Sequence, residues 1–334
     1  MNPARFQEIA SRYRRLRVAV LGDYCLDRYL EIDPARSEIS IETGRQVHNV
    51  THVRFQPGGA GTVLNNLVAL GIGEILPLGF CGDDAEGHEL QTALGRSRQV
   101  CPDHFLVTAE RRTFTYCKPL LLHPDKAPEE LNRLDFKNWT PTPADVCERL
   151  SNSLAKVFDS IDALIVLNQV DLPETGVITQ AMLGRLRELV GHRPALPILG
   201  DSRTGFTNWP AISFKMNETE ARHFAPSPDE LPSCLSSLSK RTGRPLFTTL
   251  AENGILAATP EGATTHCPAL PVRGDIDIVG AGDCVTANLT AALAAGATAV
   301  EAATIANLAA SCVIHQLGTT GTADIPAITR LLAS

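Results

Sequence analysis

Residues 277–285 read DIVGAGDCV, and an alanine-rich apolar run, residues 284–297, follows. Three small residues, Gly280, Ala281 and Gly282, lead directly into Asp283. Small residues let a backbone approach a phosphate closely, and a helix starting here would aim its first free N–H groups at the same point. That arrangement stabilises the negative charge that spreads over a transferring phosphoryl group. A carboxylate beside it, Asp283, could take the proton from an attacking hydroxyl. The competing reading is an Asp that merely caps a helix starting after Gly282. These residues alone leave both readings open.

Four further stretches carry chemistry. In LGDYCLD, Asp23 and Asp27 follow the first apolar run, and two acids there can accept hydrogen bonds from neighbouring hydroxyls of a polyol; one of them could equally cap a turn. In QPGGAGTVLNNLVALG, Gly58 and Gly59 make a tight turn before an amphipathic segment, compatible with a small polar ligand or with a plain turn. In FKMNETEA, Asn217 and Glu220 place an amide and an acid on one side of a helix start. Such a pair can hold Mg²⁺ through its water shell, or it can be a capping box. In FTTLAENGILAA, Thr249 and Gly254 flank a polar turn that suits a nucleotide phosphate or a simple hairpin.

The elements that must position these residues alternate short apolar runs with longer amphipathic ones. Strands are expected at Val18–Leu21, Ile75–Phe80, Ala163–Leu167, Pro197–Leu199, Ile212–Lys215, Leu246–Thr249 and Ile255–Ala258. Helices are expected near the N-terminus and at Thr62–Leu70, Ala85–Leu94, Pro143–Phe158, Glu174–Val190, Pro228–Arg241, Cys284–Ala295 and Val300–Gln316. The fold class is α/β, with a mainly parallel sheet covered on both faces. Open sheets of this kind bind ligands at the C-terminal ends of their strands, where Asp23 and Asp27 fall. Two stretches break the rhythm: Tyr29–Phe55 and His104–Leu122 are rich in alternating, β-branched and aromatic residues. They are expected to form one small sheet, a lid over the cleft of a single domain, residues 1–334. Residues 123–142 read as a loop. An exposed lid face suits pairing with a second copy, so a homodimer through the lids is expected.

Composition narrows the function classes. The 334 residues are 44% hydrophobic and 20% charged, with a net charge of -7, which argues against nucleic acid as the main partner. No run reaches the roughly 18–20 apolar residues of a membrane helix, and VAVLG near the N-terminus is too short for a secretory signal. Nine scattered cysteines fit buried thiols in a reducing, cytoplasmic setting.

Taken in chain order, the acidic pair, the Gly-Gly turn, Asn-x-x-Glu, the polar Thr turn and Gly-Ala-Gly-Asp resemble the ribokinase/PfkB family of carbohydrate kinases. The resemblance runs from VAVLGDYCLD to HQLGTTGTADI. Within that family, GDYCLDRY, PGGAG, NRLDF and NLAASCVIHQLGT are most similar to the kinases of heptose 7-phosphate. The resemblance implies ATP and Mg²⁺ as cofactors, a ribokinase-like fold and a sugar or sugar phosphate as acceptor. It implies Asp283 as catalytic base and the amides of Gly280, Ala281 and Gly282 as an anion hole. Asp277 would order the loop or help place a monovalent cation such as K⁺. Asn217 and Glu220 would work with Mg²⁺ and the phosphates, Thr249 and Gly254 would lie on the nucleotide side, and Asn307 would line the adenine pocket. Asp23, Asp27, Gly58 and Gly59 would face the sugar.

The chain departs from the family at Thr62, where a sugar-contacting Asn is usual, and at Ile278 and Asn288. LNQVDLPETG replaces the Asp-Tyr-x-Lys-Gly of the heptose kinases, and the sequence ends at Ser334 without the nucleotidyltransferase domain they often carry. A catalytically weak sugar- or nucleotide-binding regulator on the same fold is therefore the alternative. A nicotinamide-dependent oxidoreductase is disfavoured, since no Gly-x-Gly-x-x-Gly follows the first strand.

Overall fold

The computed structural model describes residues 1–124, 128–224, 227 and 230–333. An eight-stranded sheet runs through the middle of the molecule. Its strands lie in the order Thr264–Cys267, Ile255–Ala258, Leu246–Thr249, Ser213–Asn217, Ile198–Ser202, Ala163–Asn168, Arg17–Gly22 and Glu74–Leu78. The pairings from Leu246–Thr249 to Glu74–Leu78 are parallel, and Ile255–Ala258 and Thr264–Cys267 add an antiparallel edge.

The apolar runs form strands because both of their faces are covered. Val18, Val20, Ile165 and Leu167 enter one core, and Ala19, Leu21, Leu164 and Val166 enter the other, following the two-residue period of a strand. Fully burying each of these valine, leucine and isoleucine side chains contributes about 1.5–3 kcal/mol. Helices Pro3–Tyr13, Ala60–Ala69, Ala281–Ala294 and Ala299–Val313 cover the first face, and Ala144–Phe158, Gln180–His192 and Leu231–Thr242 the second. A C-terminal helix, Ile325–Ala333, packs on Ala299–Val313 and had no sequence expectation.

A second sheet joins Tyr24–Ile32, Val50–Gly59 and Phe114–Leu121. Tyr24–Ile32 runs antiparallel to Val50–Gly59 and parallel to Phe114–Leu121. It begins only two residues after the first main-sheet strand ends, so Asp27 belongs to this second sheet. Leu106–Thr108, inside the second expected insert, pairs instead with Phe80–Gly82. Residues 123–142 are not only loop: Glu129–Glu130 and Leu134–Phe136 pair with Phe114–Leu121, being too short to show a periodic pattern.

Helix ends also differ from expectation. Gln180–His192 starts six residues later than Glu174, whose left-handed φ of 65° ends any helical path there, and Thr179 caps the true start. The expected helix from Pro228 begins, as described, at Leu231; positions 228 and 229 lie outside the described residues. Among the described residues no cysteine is disulfide-bonded; five of the nine are buried and four half-buried. No described helix is long and apolar enough to cross a membrane.

Candidate active site

The C-terminal ends of the parallel strands gather the polar residues. Asp23 follows Arg17–Gly22, Asn168 closes Ala163–Asn168, Asp201 and Ser202 close Ile198–Ser202, and Asn217 and Thr249 close theirs. Register places Asp201 beside Lys215 and Asn217 beside Thr249.

Helix Ala281–Ala294 starts at this edge, two residues before Asp283 rather than after Gly282. Gly280 is the residue before it, in the left-handed region at φ 82°, where a Cβ is strained. Asp283 is thus a residue of the first turn, and no side chain caps this helix. Capping does not explain Asp283. The helix leaves its first N–H groups without helical acceptors; that of Ala281 is given to the Ile278 carbonyl at 3.1 Å. Asp283 is half-buried. Loss of water, and next the charge of Asp201, hold its carboxyl up at about 7 against the opposing pull of Lys215 and Arg203.

Beside this turn lies a cavity of about 490 Å³, lined by Asn217, Thr249, Gly254, Ile278, Ala281, Gly282 and Asn307 among others. Its walls are largely aliphatic: Ile255, Leu270, Val272, Ile276, Val285 and Ile314. Asn307 gives its amide to the Cys267 carbonyl at 2.8 Å, fastening the wall. Gly254 turns at φ 94°, and a Cβ there would meet the Cys267 carbonyl.

Asn217 and Glu220 do form a capping box: each gives a backbone N–H to the other's side chain at 2.8 Å. Asn217 is exposed to the cavity, while burial pushes the half-buried Glu220 carboxyl up. Among the described residues no group of three or more His, Cys, Asp or Glu is placed to hold a metal. Asp277 accepts N–H groups from Val279 at 3.0 Å and Gly318 at 3.1 Å. The Gly318 carbonyl accepts from Arg54, and Thr319 donates to Gln56, so this loop also touches the second sheet.

On that sheet Asp27 is buried and pairs with Lys118 at 3.1 Å. Burial pulls the Lys118 ammonium down, but Asp27 and Tyr29 outweigh it and hold it above the ordinary lysine value. A Cβ at Gly58 would meet the Asp27 carboxylate at 2.8 Å, so glycine there leaves the acid its place.

Asp23 behaves differently from the expectation that it faces a polyol with Asp27. Its two oxygens accept backbone N–H groups of Gln169 at 2.8 Å and Val177 at 2.7 Å, so it holds the 169–177 loop to the first strand. Thr62 likewise does not face the cleft: it is 2% exposed, with its hydroxyl 3.5 Å from the Pro57 carbonyl. Gly59, with Asp23, Gln169 and Arg203, edges a recess of about 30 Å³ between the second sheet and the body. That is room for roughly one water. Asn288, a departure from the family, is buried and gives its amide to the Cys284 carbonyl at 2.9 Å.

Four charged residues here had no sequence expectation: Asp201, Arg203, Lys215 and Lys118. Lys215 interrupts an apolar strand, and that was the one visible signal.

Residues 211–326 match the model of the pfkB family carbohydrate kinases. Over 327 residues the chain is 31% identical to the "Bifunctional protein HldE" of Pelobacter propionicus, covering 96% of this chain and 64% of that protein. The protein of the same name from Coxiella burnetii is 31% identical over 330 residues, covering 96% and 65%. The chain thus spans just under two thirds of the curated relatives it matches. Arabidopsis thaliana ribokinase complexed with ribose and ATP aligns with a TM-score of 0.67 at 17% identity, over 96% of this chain and 99% of that one. Escherichia coli phosphofructokinase-2 in complex with potassium aligns with a TM-score of 0.69 at 18% identity, over 95% and 98%. The family match takes in strands Ser213–Asn217 and Leu246–Thr249, the glycine turn and the helix Ala281–Ala294, while Asp23, Asp27 and Asp201 lie before it; the ribokinase-like fold extends over nearly the whole chain, and residues 211–326 within it are similar to the pfkB family carbohydrate kinases.

Proposed function

We propose that the chain transfers the γ-phosphoryl group of ATP to a hydroxyl of a sugar or sugar phosphate. The observation that carries this reading is Asp283: a first-turn carboxyl that caps nothing, held near neutrality beside a glycine turn and a nucleotide-sized cavity. In this reading the adenine lies against the aliphatic wall near Asn307, and Thr249 and Gly254 face the nucleotide. The phosphates reach the turn Gly280–Gly282, where the N–H groups of Gly280 and Gly282 take up charge as the bond to the leaving oxygen breaks, the Ala281 N–H being held by the Ile278 carbonyl. Asp27 orients the acceptor from the second sheet, with Gly58 and Gly59 giving it room. Asp283 takes the hydroxyl proton as the oxygen bonds to phosphorus.

The oxygen donors of Asn217 and Glu220 suit Mg²⁺ held through water, since a hard cation that keeps most of its waters needs few protein ligands. When bound with ATP, Mg²⁺ neutralises phosphate charge. Asp277 holds its loop by two amides, and a monovalent cation such as K⁺ beside it belongs to the same reading. The second sheet is a lid: it carries Asp27, borders the recess at Gly59 and touches the Gly318–Thr319 loop that Asp277 holds. Its exposed Val50, Val53, Leu122 and Leu134 suit a homodimer through the lids.

The heptose-7-phosphate kinases supply the first acceptor to try, given the likeness to HldE proteins. The engaged Ala281 amide and the buried Thr62 favour the alternative, a weakly active sugar- or nucleotide-binding regulator. ADP release measured with ATP and Mg²⁺ over a panel of sugars and sugar phosphates decides between them. One acceptor with turnover far above ATP hydrolysis supports the kinase; binding without turnover supports the regulator.

A further inference from the structure

We propose that Lys215, anchored by Asp201 beneath the turn 280–282, is a positioning residue that keeps the Asp283 carboxylate charged and able to take a proton. Its mechanism rests on the geometry, and its consequence for turnover rests on the kinase reading above.

A lysine in the middle of a parallel sheet is out of place, since such strands are covered on both faces. Lys215 is 7% exposed and Asp201 4%. Their charged atoms are 2.9 Å apart on directly paired residues of neighbouring strands. A buried ion pair is weak evidence for stability, because desolvation offsets its attraction. This pair is also tied to the site. Thr286, one turn beyond Asp283 on the same helix, gives its hydroxyl to the same Asp201 oxygen at 2.8 Å. A Cβ on Gly282 would stand 3.3 Å from the Lys215 ammonium, so the cation lies directly under the residue before Asp283. The Asp201 bond is the one hydrogen bond its ammonium makes among the described residues, of three it can donate.

The ionisable groups around Asp283 divide cleanly. Asp201 and, from the lid strand, Asp27 push its carboxyl up; Lys215 and Arg203 pull it down. Glu220 also favours the charged form of Lys215. The helix Ala60–Ala69, packed against the Asp283 helix, brings no ionisable side chain. Without Lys215, Asp283 would face a buried like charge at Asp201 and keep its proton at neutral pH. A protonated acid cannot act as the base.

The test is a pH titration of the Asp283 carboxyl carbon by NMR, its signal assigned by its absence in Asp283→Asn. Lys215→Met is expected to raise the midpoint by at least about one pH unit, a tenfold smaller ionised fraction on the acid side. In parallel, kcat/KM should fall about tenfold at pH 6.5 and recover toward wild type by pH 9.5. Should Lys215→Met fail to fold, Asp201→Asn is read instead, and the midpoint should fall. An unmoved midpoint in the variant read, or a loss of kcat/KM equal at all pH values, overturns the inference while leaving an active wild type a kinase. A moved midpoint in a wild type that phosphorylates no acceptor supports the positioning role and overturns the kinase reading.

Discussion

A carboxyl held up at about 7, as Asp283 is, keeps its proton in the folded chain at pH values where the unfolded chain has lost it. Between roughly pH 4 and 7 the folded state therefore binds more protons, and stability falls as pH rises through that window. Asp283→Asn, which removes the charge, should raise the melting temperature at pH 8 and leave it nearly unchanged at pH 4. The gain should be on the order of 1–3 kcal/mol, allowing for solvent at a half-buried group. Thermal melts at the two pH values check this; an equal effect at both would count against it. Asp27 and Asp23 should separate in the same kind of experiment. Asp27→Asn keeps the size and shape of the side chain and loses a charged acceptor, so the KM for sugar should rise about tenfold or more with ATP binding unchanged. Asp23→Asn should act mainly on stability, by about 1–3 kcal/mol, because its partners are the amides of Gln169 and Val177.

At the scale of elements, the parallel strands were readable because burial on both faces demands unbroken apolar runs, as in Ala163–Asn168. The helix Ala85–Leu94 was found to the residue, since Asp84 caps it and Gly95 follows. The glycine-rich starts were harder: Ala281 and Gly282 look like turn residues, yet both are helical, and only the αL backbone of Gly280 marks the boundary. Short pairing strands such as Leu134–Phe136 have no period to read. Within the site, the turn and the acids were visible as local patterns. The Asp201–Lys215 pair was not, because strand register joins residues fourteen positions apart. The short helix Glu218–Ala221 carries a prediction of its own. Its box binds through the Glu220 carboxylate, so Glu220→Gln should cost about 1 kcal/mol or less of stability. If the residue also serves Mg²⁺, the concentration of Mg²⁺ for half-maximal activity should rise several-fold. A normal Mg²⁺ dependence with a lowered melting temperature would leave only the cap.

For the molecule as a whole, the second sheet is joined to the Asp277 loop through Arg54, Gln56, Thr319 and Gly318. Exposed apolar residues on that sheet make the oligomeric state a direct check of the lid reading. Light scattering should give a dimer at micromolar concentration, and Val53→Lys should shift it to monomer; a wild-type chain that stays monomeric when concentrated contradicts pairing through the lids. The central claim is that Asp283 is the base of a phosphoryl transfer from ATP to a sugar hydroxyl. The most direct measurement is turnover of wild type and Asp283→Asn with the best acceptor found. The substitution is nearly isosteric, and loss of a general base typically lowers the rate about 10²–10⁴-fold. The predicted result is a fall in kcat of that size with ATP affinity unchanged or slightly tighter, since a like charge near the γ-phosphate is gone. Near-normal turnover in Asp283→Asn would contradict it.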